Sequence, residues 1–286
     1  MRLGISYNVF DGEELLPYSL LSVRRVAHHI SVVYQTTSNY GNENKNLLSE
    51  LERLQDKGLI DKLFLYEPKS YDSETNDKHT IGSVARVICV DDKGKRTFRN
   101  GTLNELEKRD IGLRIARANH CDTYMSMDAD EIYDTNQLMD AFANFRIGDY
   151  DSSFCQMRTF YKYPTHQIDP PETYYVPLFY RIKPNNKMEF IQNNDFPVTC
   201  DPTRRMKAGY VRIFSREEIE MYHYAYVRKN IESKIRNSSA QADKSFQDRI
   251  IKQFNSFKES DRKCMMLGQH QATNLKIVDN KFNIKI

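Results

Sequence analysis

The sequence predicts an α/β fold: a mostly parallel central sheet with flanking helices, followed by a C-terminal helical extension. Three observations predict it. Short apolar runs alternate with helix-length amphipathic stretches up to Glu131, the ordering of βαβ units. The run Tyr124 to Met127 stops abruptly at three carboxylates, Asp128, Asp130 and Glu131, and open α/β sheets bind ligands beyond the carboxyl ends of their strands. Late in the chain, Phe246, Ile250, Phe254 and Phe257 recur at helical spacing.

In chain order, strands are predicted at Leu3–Val9, Ile30–Gln35, Lys62–Tyr66 and Thr123–Met127, with helices at Pro17–Ala27, Lys45–Asp56 and Leu103–Ala118. Leu48, Leu51, Leu54 and Leu59 form the predicted apolar stripe of the second helix and its exit. Thr102-Leu103-Asn104-Glu105 fits a capping box, and Ile111, Ile115 and Ala118 share one face of the helix that follows. Asp91-Asp92-Lys93-Gly94-Lys95 reads as a hairpin turn between arms Val84–Val90 and Thr97–Arg99, a possible flap. After the carboxylates come a helix at Asn136–Phe145 and aromatic-rich strands at Ser153–Tyr161 and Tyr174–Ile182. Phe160, Tyr161, Tyr163, Tyr174, Tyr175, Phe179 and Tyr180 can stack on a sugar or base, but core filling is the commoner use of strand aromatics. Residues 1–227 are expected to form one domain of two halves meeting at about 135, and residues 228–286 a basic helical extension with a terminal strand or hairpin.

Burying neighbouring carboxylates is costly unless a cation or hydrogen bonds compensate them, so Asp128 and Asp130 suggest a hard divalent ion. Two residues apart on extended backbone they point the same way, and Ala129 between them leaves room for a bulky ligand. A second Asp-x-Asp, at Asp149-Tyr150-Asp151, serves as a control. It follows Arg146-Ile147-Gly148 and no apolar strand, so it reads as a solvated loop.

Composition narrows the classes. Of 286 residues, 40% are hydrophobic and 28% charged, as in ordinary globular proteins, and no window approaches the roughly 18 apolar residues of a membrane span. No secretory signal is read at the start of the chain. Cys89, Cys121, Cys155, Cys200 and Cys264 are odd in number and scattered, which favours reduced thiols and a cytoplasmic location over a zinc knuckle or disulfide framework. Neither a Gly-x-x-x-x-Gly-Lys loop nor a Gly-x-Gly-x-x-Gly fingerprint occurs, against P-loop and Rossmann dinucleotide readings.

Three segments in this order resemble the nucleotide-sugar glycosyltransferases of the GT-A fold, particularly the large family 2 group. The first runs from Gly4-Ile5-Ser6-Tyr7-Asn8 through Asp11-Gly12-Glu13-Glu14-Leu15-Leu16-Pro17 to Ser31-Val32-Val33-Tyr34-Gln35. The second leads from Lys108-Arg109-Asp110-Ile111-Gly112-Leu113 into the Asp-x-Asp strand, and the third is Met221 to Arg228 around His223. The resemblance implies a nucleotide-sugar donor, a UDP-sugar first, held by Tyr7, Arg109 and Asp110. Asn8, Gln35 and Asn39 join this set only because they lie at or just beyond strand ends. It also implies Mn²⁺ or Mg²⁺ on Asp128, Asp130 and His223, with Glu131 orienting the loop and Arg109 approaching a phosphate. His223 amid Tyr222, Tyr224 and Tyr226 reads equally well as a packing residue.

In that chemistry the cation neutralises a departing nucleoside diphosphate, and an inverting enzyme needs a base beside the acceptor hydroxyl. The resemblance implies a nucleotide-sugar half to about residue 135 and an acceptor half at about 136–227; Glu189, Asp195 and Asp201 all lie in the latter, with Asp201 taken as the catalytic candidate. From Arg228 to Lys263, ten Lys or Arg stand against five Asp or Glu, which suits either a solvated face or a polyanion contact. The acceptor is therefore either a glycan, free or lipid-linked, or a hydroxymethylated base in DNA, as for phage-type enzymes. A metal-dependent nuclease and a non-catalytic binding protein for nucleic acid or carbohydrate are the rivals from other classes.

Overall fold

A computed structural model describes residues 1–72, 74–75, 86–90, 94, 96–191, 195–207, 209–238, 243–268 and 271–286. Its strands are β1 (Leu3–Val9), β2 (His29–Tyr34), β3 (Lys62–Leu65), β4 (Ser70–Tyr71), β5 (Arg86–Val90), β6 (Arg96–Asn100), β7 (Thr123–Asp128) and β8 (Glu131–Ile132), then β9 (Ser152–Tyr161), β10 (His166–Asp169), β11 (Tyr175–Arg181), β12 (Val211–Ile213), β13 (Glu220–Tyr226), β14 (Lys263–Cys264) and β15 (Thr273–Ile277). The helices are α1 (Leu16–Val23), α2 (Leu47–Asp56), α3 (Gly101–Ala118), α4 (Thr135–Ile147), α5 (Ile231–Asn237) and α6 (Lys244–Ser256).

The predicted α/β class holds. One large sheet runs β14-β15-β10-β9-β11-β7-β1-β2-β3, and its core strands β7, β1, β2 and β3 are all parallel. Beyond β7 the pairing turns antiparallel through β11 and β9, while β12 and β13 lie parallel along β9. β4, β6 and β5 form a separate small sheet, so the arms of the predicted hairpin pair, while turn residues 91–93 and 95, with Val84 and Ala85, lie outside the described residues.

Period-2 alternation divides the parallel strands between two layers. Leu3, Ile5, Tyr7 and Val9 of β1, with Met125 and Met127 of β7, face a core closed by α1, α2 and α4. The even positions face α3. A Cβ on Gly4 would come within 2.6 Å of the Ala116 Cβ, and one on Gly112 would overlap Ser6 Oγ, so small residues let α3 lie directly on β1. That close approach sets the position of the α3 face, which carries Glu105, Lys108 and Arg109.

Local details differ from expectation in two places, the α3 cap and the α2 stripe, while the strand aromatics follow it. The α3 cap is Asn100, whose side chain accepts from Leu103 N; two residues later, Thr102 already lies within the helix. The stripe of α2 is Leu47, Leu51 and Leu54, and Leu48 is 36% exposed on the other side of the helix. The strand aromatics Phe160, Tyr161, Phe179 and Tyr180 are buried, Phe160 stacking on Tyr224 at 4.4 Å between ring centroids, so packing is their use. Tyr163, Tyr174 and Tyr175 are only half-buried.

As predicted, Ile250, Phe254 and Phe257 turn inward around α6, Phe246 is half-buried, and Lys244, Lys252 and Lys258 are exposed. The C-terminal residues are joined to the main sheet: β15 pairs antiparallel with β10 in the register His166 to Ile277. Among the described residues, no helix is long and apolar enough to cross a membrane.

Candidate active site

Where β1 and β7 end, a cavity of about 160 Å³ opens on the α3 side of the sheet, lined by Asn8, Asp128, Ala129 and Asp130 from the sheet edge. Glu105, Lys108 and Arg109 of α3 form a second wall, Asp201 and Thr203 a third, and Arg228, Lys234 and Asn237 a fourth. Even-numbered β7 residues meet α3 side on: Tyr124 donates to Arg109 O at 2.9 Å, while Arg109 donates to Ser126 Oγ at 2.7 Å and to Asp128 Oδ1 at 3.1 Å. Strand periodicity therefore places Asp128 over the helix. The chain turns after it, and β8 pairs with β13, bringing His223 opposite Glu131.

The carboxylates are balanced by fixed cations. Arg204, held in a 3-10 turn at Pro202–Arg204 that Asp201 caps, donates to Asp128 Oδ2 at 2.5 Å and to both oxygens of Glu131, at 3.0 and 2.5 Å. Asp130, 2% exposed, has Oδ2 against Arg228 at 2.5 Å and Lys234 at 3.2 Å. Arg228 also pairs with Asp11 at 3.2 Å. Gly12 makes room for it: φ is +85°, and a Cβ there would run into the Arg228 guanidinium.

These contacts set the protonation states. Burial alone would raise Asp128, but Arg109 and Arg204 outweigh it and hold its carboxyl at about 2. Burial would likewise raise Asp130, and Lys234 and Arg228 keep it well below the ordinary range. Glu131 goes the other way. Burial lifts it to about 7 against the pull of Arg204, because one guanidinium serves two carboxylates and Asp128 beside it is already negative. Burial lowers His223 despite Asp130 nearby, so its ring is neutral near pH 7.

Of the residues predicted from sequence, Asn8, Asp128, Asp130, Arg109 and Asp201 line the cavity. Glu131 sits behind it, accepting from Asp128 N at 3.1 Å and so bracing the turn. Tyr7 points to the opposite face of β1, fully buried with its hydroxyl 3.0 Å from Ser19 Oγ, and does not reach the cavity. Asp110 also faces away: it accepts from Met188 N at 3.1 Å and pairs with Arg114 at 3.2 Å, one helical step (about 100°) from Arg109. Gln35 and Asn39 lie buried beyond the end of β2 and do not line the cavity; their side-chain oxygens, like that of Asn8, accept no hydrogen bond among the described residues. Glu189 and Asp195 line a different cavity, of about 800 Å³, with Phe190 and Phe196. Asp149 pairs with Arg181 at the surface, as the control reading expected, whereas Asp151, its side chain 20% exposed, pairs with Lys183 and lines that second cavity.

The expected metal set does not come together. Among the described residues no group of three or more His, Cys, Asp or Glu side chains is gathered to hold an ion. Both Asp128 oxygens and Asp130 Oδ2 already face guanidinium or ammonium nitrogens, and His223 Nε2 is 3.7 Å from Asp130 Oδ1. As arranged, these side chains do not fit a dication. Sequence reasoning missed Arg204 and Lys234; the signal was the run of acids itself, which requires counter-charges from elsewhere in the chain.

No protein-family model matches the chain, and no curated protein matches it. Among solved structures, the chain is similar to S. aureus TarS at 14% identity and a TM-score of 0.45, over 91% of this chain and 44% of that one. It is also similar to S. aureus TarS 1-349 in complex with UDP-GlcNAc, at 14% identity and a TM-score of 0.43, over 91% and 74%. A third likeness is to mannose-1-phosphate geranyltransferase from Thermus thermophilus, at 13% identity and a TM-score of 0.29, over 63% and 50%. The chain thus spans under half the length of the longer TarS structure.

Proposed function

We propose that this chain is a GT-A-type glycosyltransferase that moves a sugar from a nucleoside-diphosphate sugar to an acceptor hydroxyl. One observation carries the reading: Asp128 and Asp130 converge with Arg109, Arg228 and Lys234 on one cavity, at the edge where the parallel strands end. A cavity with charged walls of both signs suits a ligand carrying phosphates and hydroxyls together. At about 160 Å³ it is smaller than the roughly 300–1,000 Å³ of whole small-molecule sites, so it would take the diphosphate and the reacting end of the sugar. The base would extend toward Asn8, which lines the cavity at the end of β1. A UDP-sugar is the first donor to try.

Asp201 is the proposed general base. It lines the cavity with its side chain 37% exposed; Oδ1 accepts from Thr203, and Oδ2 is 3.8 Å from both Arg109 and Arg204. That oxygen can take the proton of an acceptor hydroxyl as the hydroxyl oxygen bonds to the anomeric carbon and the bond to the diphosphate breaks. Such a base implies inversion at the anomeric carbon. The acceptor is proposed to be a glycan, since Lys234 and Arg236 of the basic segment engage Asp130 and Asp248 within the fold.

A donor panel tests the reading. UDP-, GDP- and CMP-sugars, UDP-GlcNAc first, would be incubated with the protein in Mn²⁺ and, separately, in EDTA, and slow release of free nucleotide followed. Release or saturable binding of one donor is expected. A protein that neither binds nor hydrolyses any of them is not a glycosyltransferase of this kind.

A further inference from the structure

We infer that Lys234, on α5 in the C-terminal segment, is a diphosphate-binding residue of this site; the inference rests on the donor reading above. Asp130 Oδ2 accepts from two cations at once, Arg228 at 2.5 Å and Lys234 at 3.2 Å. One oxygen does not need both. Arg228, its side chain 4% exposed, is pinned on its other side by Asp11 and fitted against Gly12, so it is fixed. Lys234 differs on every count. Its side chain is 28% exposed, it lines the cavity, and its ammonium rides on four rotatable methylenes, with the longer contact to Asp130 as its only ion pair among the described residues.

A ligand carrying negative charge into the cavity would therefore draw Lys234 first. Asp130 keeps Arg228 when the ammonium turns away, so the movement leaves no buried carboxylate unpaired. The other cations nearby are less free: Arg109 is held by Ser126, Thr203 and Asp128, and Lys108 by Glu105 at 2.8 Å. α5 is itself anchored over the cavity. Asn230 caps it through Ser233 N, Ser233 Oγ donates to Asp11 at 3.3 Å, and Asn237 accepts from Asn42 at 2.8 Å. The helix thus holds the root of Lys234 in place while its tip stays free to move. On this view the ammonium meets the diphosphate oxygens, strengthening as charge develops on the leaving group.

The experiment measures binding of UDP and of uridine, or of GDP and guanosine if the donor panel selects that base, to the wild-type chain, Lys234→Met and Lys234→Arg by NMR titration, with kcat and KM for the donor. A lost charge-assisted contact should weaken the nucleoside diphosphate by about tenfold or more in Lys234→Met. Nucleoside binding should not change, and Lys234→Arg should recover most of the loss at an unchanged melting temperature. Diphosphate affinity that is unaltered in Lys234→Met, or nucleoside and nucleoside diphosphate weakened alike, overturns the inference while the donor reading stands. A wild-type chain that binds neither diphosphate removes the donor reading, and the inference with it.

Discussion

Arg204 donates Nη1 to Glu131 Oε2 at 3.0 Å and Nη2 to Glu131 Oε1 at 2.5 Å, a forked pair between side chains that are almost wholly buried. The same Nη2 reaches Asp128 at 2.5 Å, so one guanidinium fixes the turn that carries the acidic motif. Removing it as Arg204→Met leaves the buried Glu131, beside a partly exposed Asp128, without its guanidinium partner. Breaking such a pair typically costs about 3–5 kcal/mol, and urea unfolding should report a loss of that order. A loss below about 1 kcal/mol would mean the fork contributes little to the fold.

Glu131 links that fork to pH. Its carboxyl is lifted from 4.5 to about 7 in the folded chain, chiefly by burial, so the native state holds a proton that the unfolded chain has released. The Glu131 contribution to stability should fall as pH rises from about 4.5 to about 7 and level off above, with a slope of at most about 1.4 kcal/mol per pH unit, while the lowered His28, His29 and His223 act in the opposite sense. Glu131→Gln should lose the Glu131 contribution and keep theirs. Urea melts of both chains between pH 5 and 8 check it, and parallel curves would place the titration elsewhere.

Asp201→Asn tests the base. The amide can still accept from Thr203 N, so the 3-10 turn should survive, while proton removal is lost. General-base loss is worth about 10²–10⁴ in rate, and kcat for transfer should drop by that range with donor affinity within about threefold. Transfer at undiminished kcat would require another base.

Gly12→Ala should be disproportionately harmful for a single methyl group. The left-handed φ of +85° costs an alanine roughly 1 kcal/mol, and its Cβ would displace the Arg228 guanidinium from Asp11 and Asp130. Loss of at least about 2 kcal/mol in thermal unfolding is expected, along with weaker nucleotide binding. A variant as stable as the wild type would show that Arg228 can relocate without penalty.

Much of this was readable in the chain, and the failures have definite causes. Hydrophobic periodicity found β1, β2, β3 and β7, and the acidic residues at the end of β7 marked the cavity. Periodicity did not say which face of a doubly covered strand looks outward, because in β1 both odd and even positions are buried. Tyr7 and Asn8 therefore looked equivalent, and only the packing of α3 separates them. Arg109 and Asp110 were confused in the same way, as adjacent residues of a helix whose orientation depends on Gly112 meeting Ser6. The counter-charges were out of reach for another reason. Arg204 lies 76 residues from Asp128, Lys234 lies 104 from Asp130, and the chain has 42 Lys and Arg from which to choose. An acidic cluster shows that partners are needed; which ones it gets depends on topology.

The bond between Asn42 and Asn237, together with the register of β15 on β10, has a practical corollary. Residues beyond Arg228 are woven into both the cavity wall and the sheet, so a protease nick or an engineered split near residue 228 would cut through the cavity instead of trimming an appendage. Two pieces made that way should regain function only on reassociation, and a shortened version ending there should be inert even if it folds.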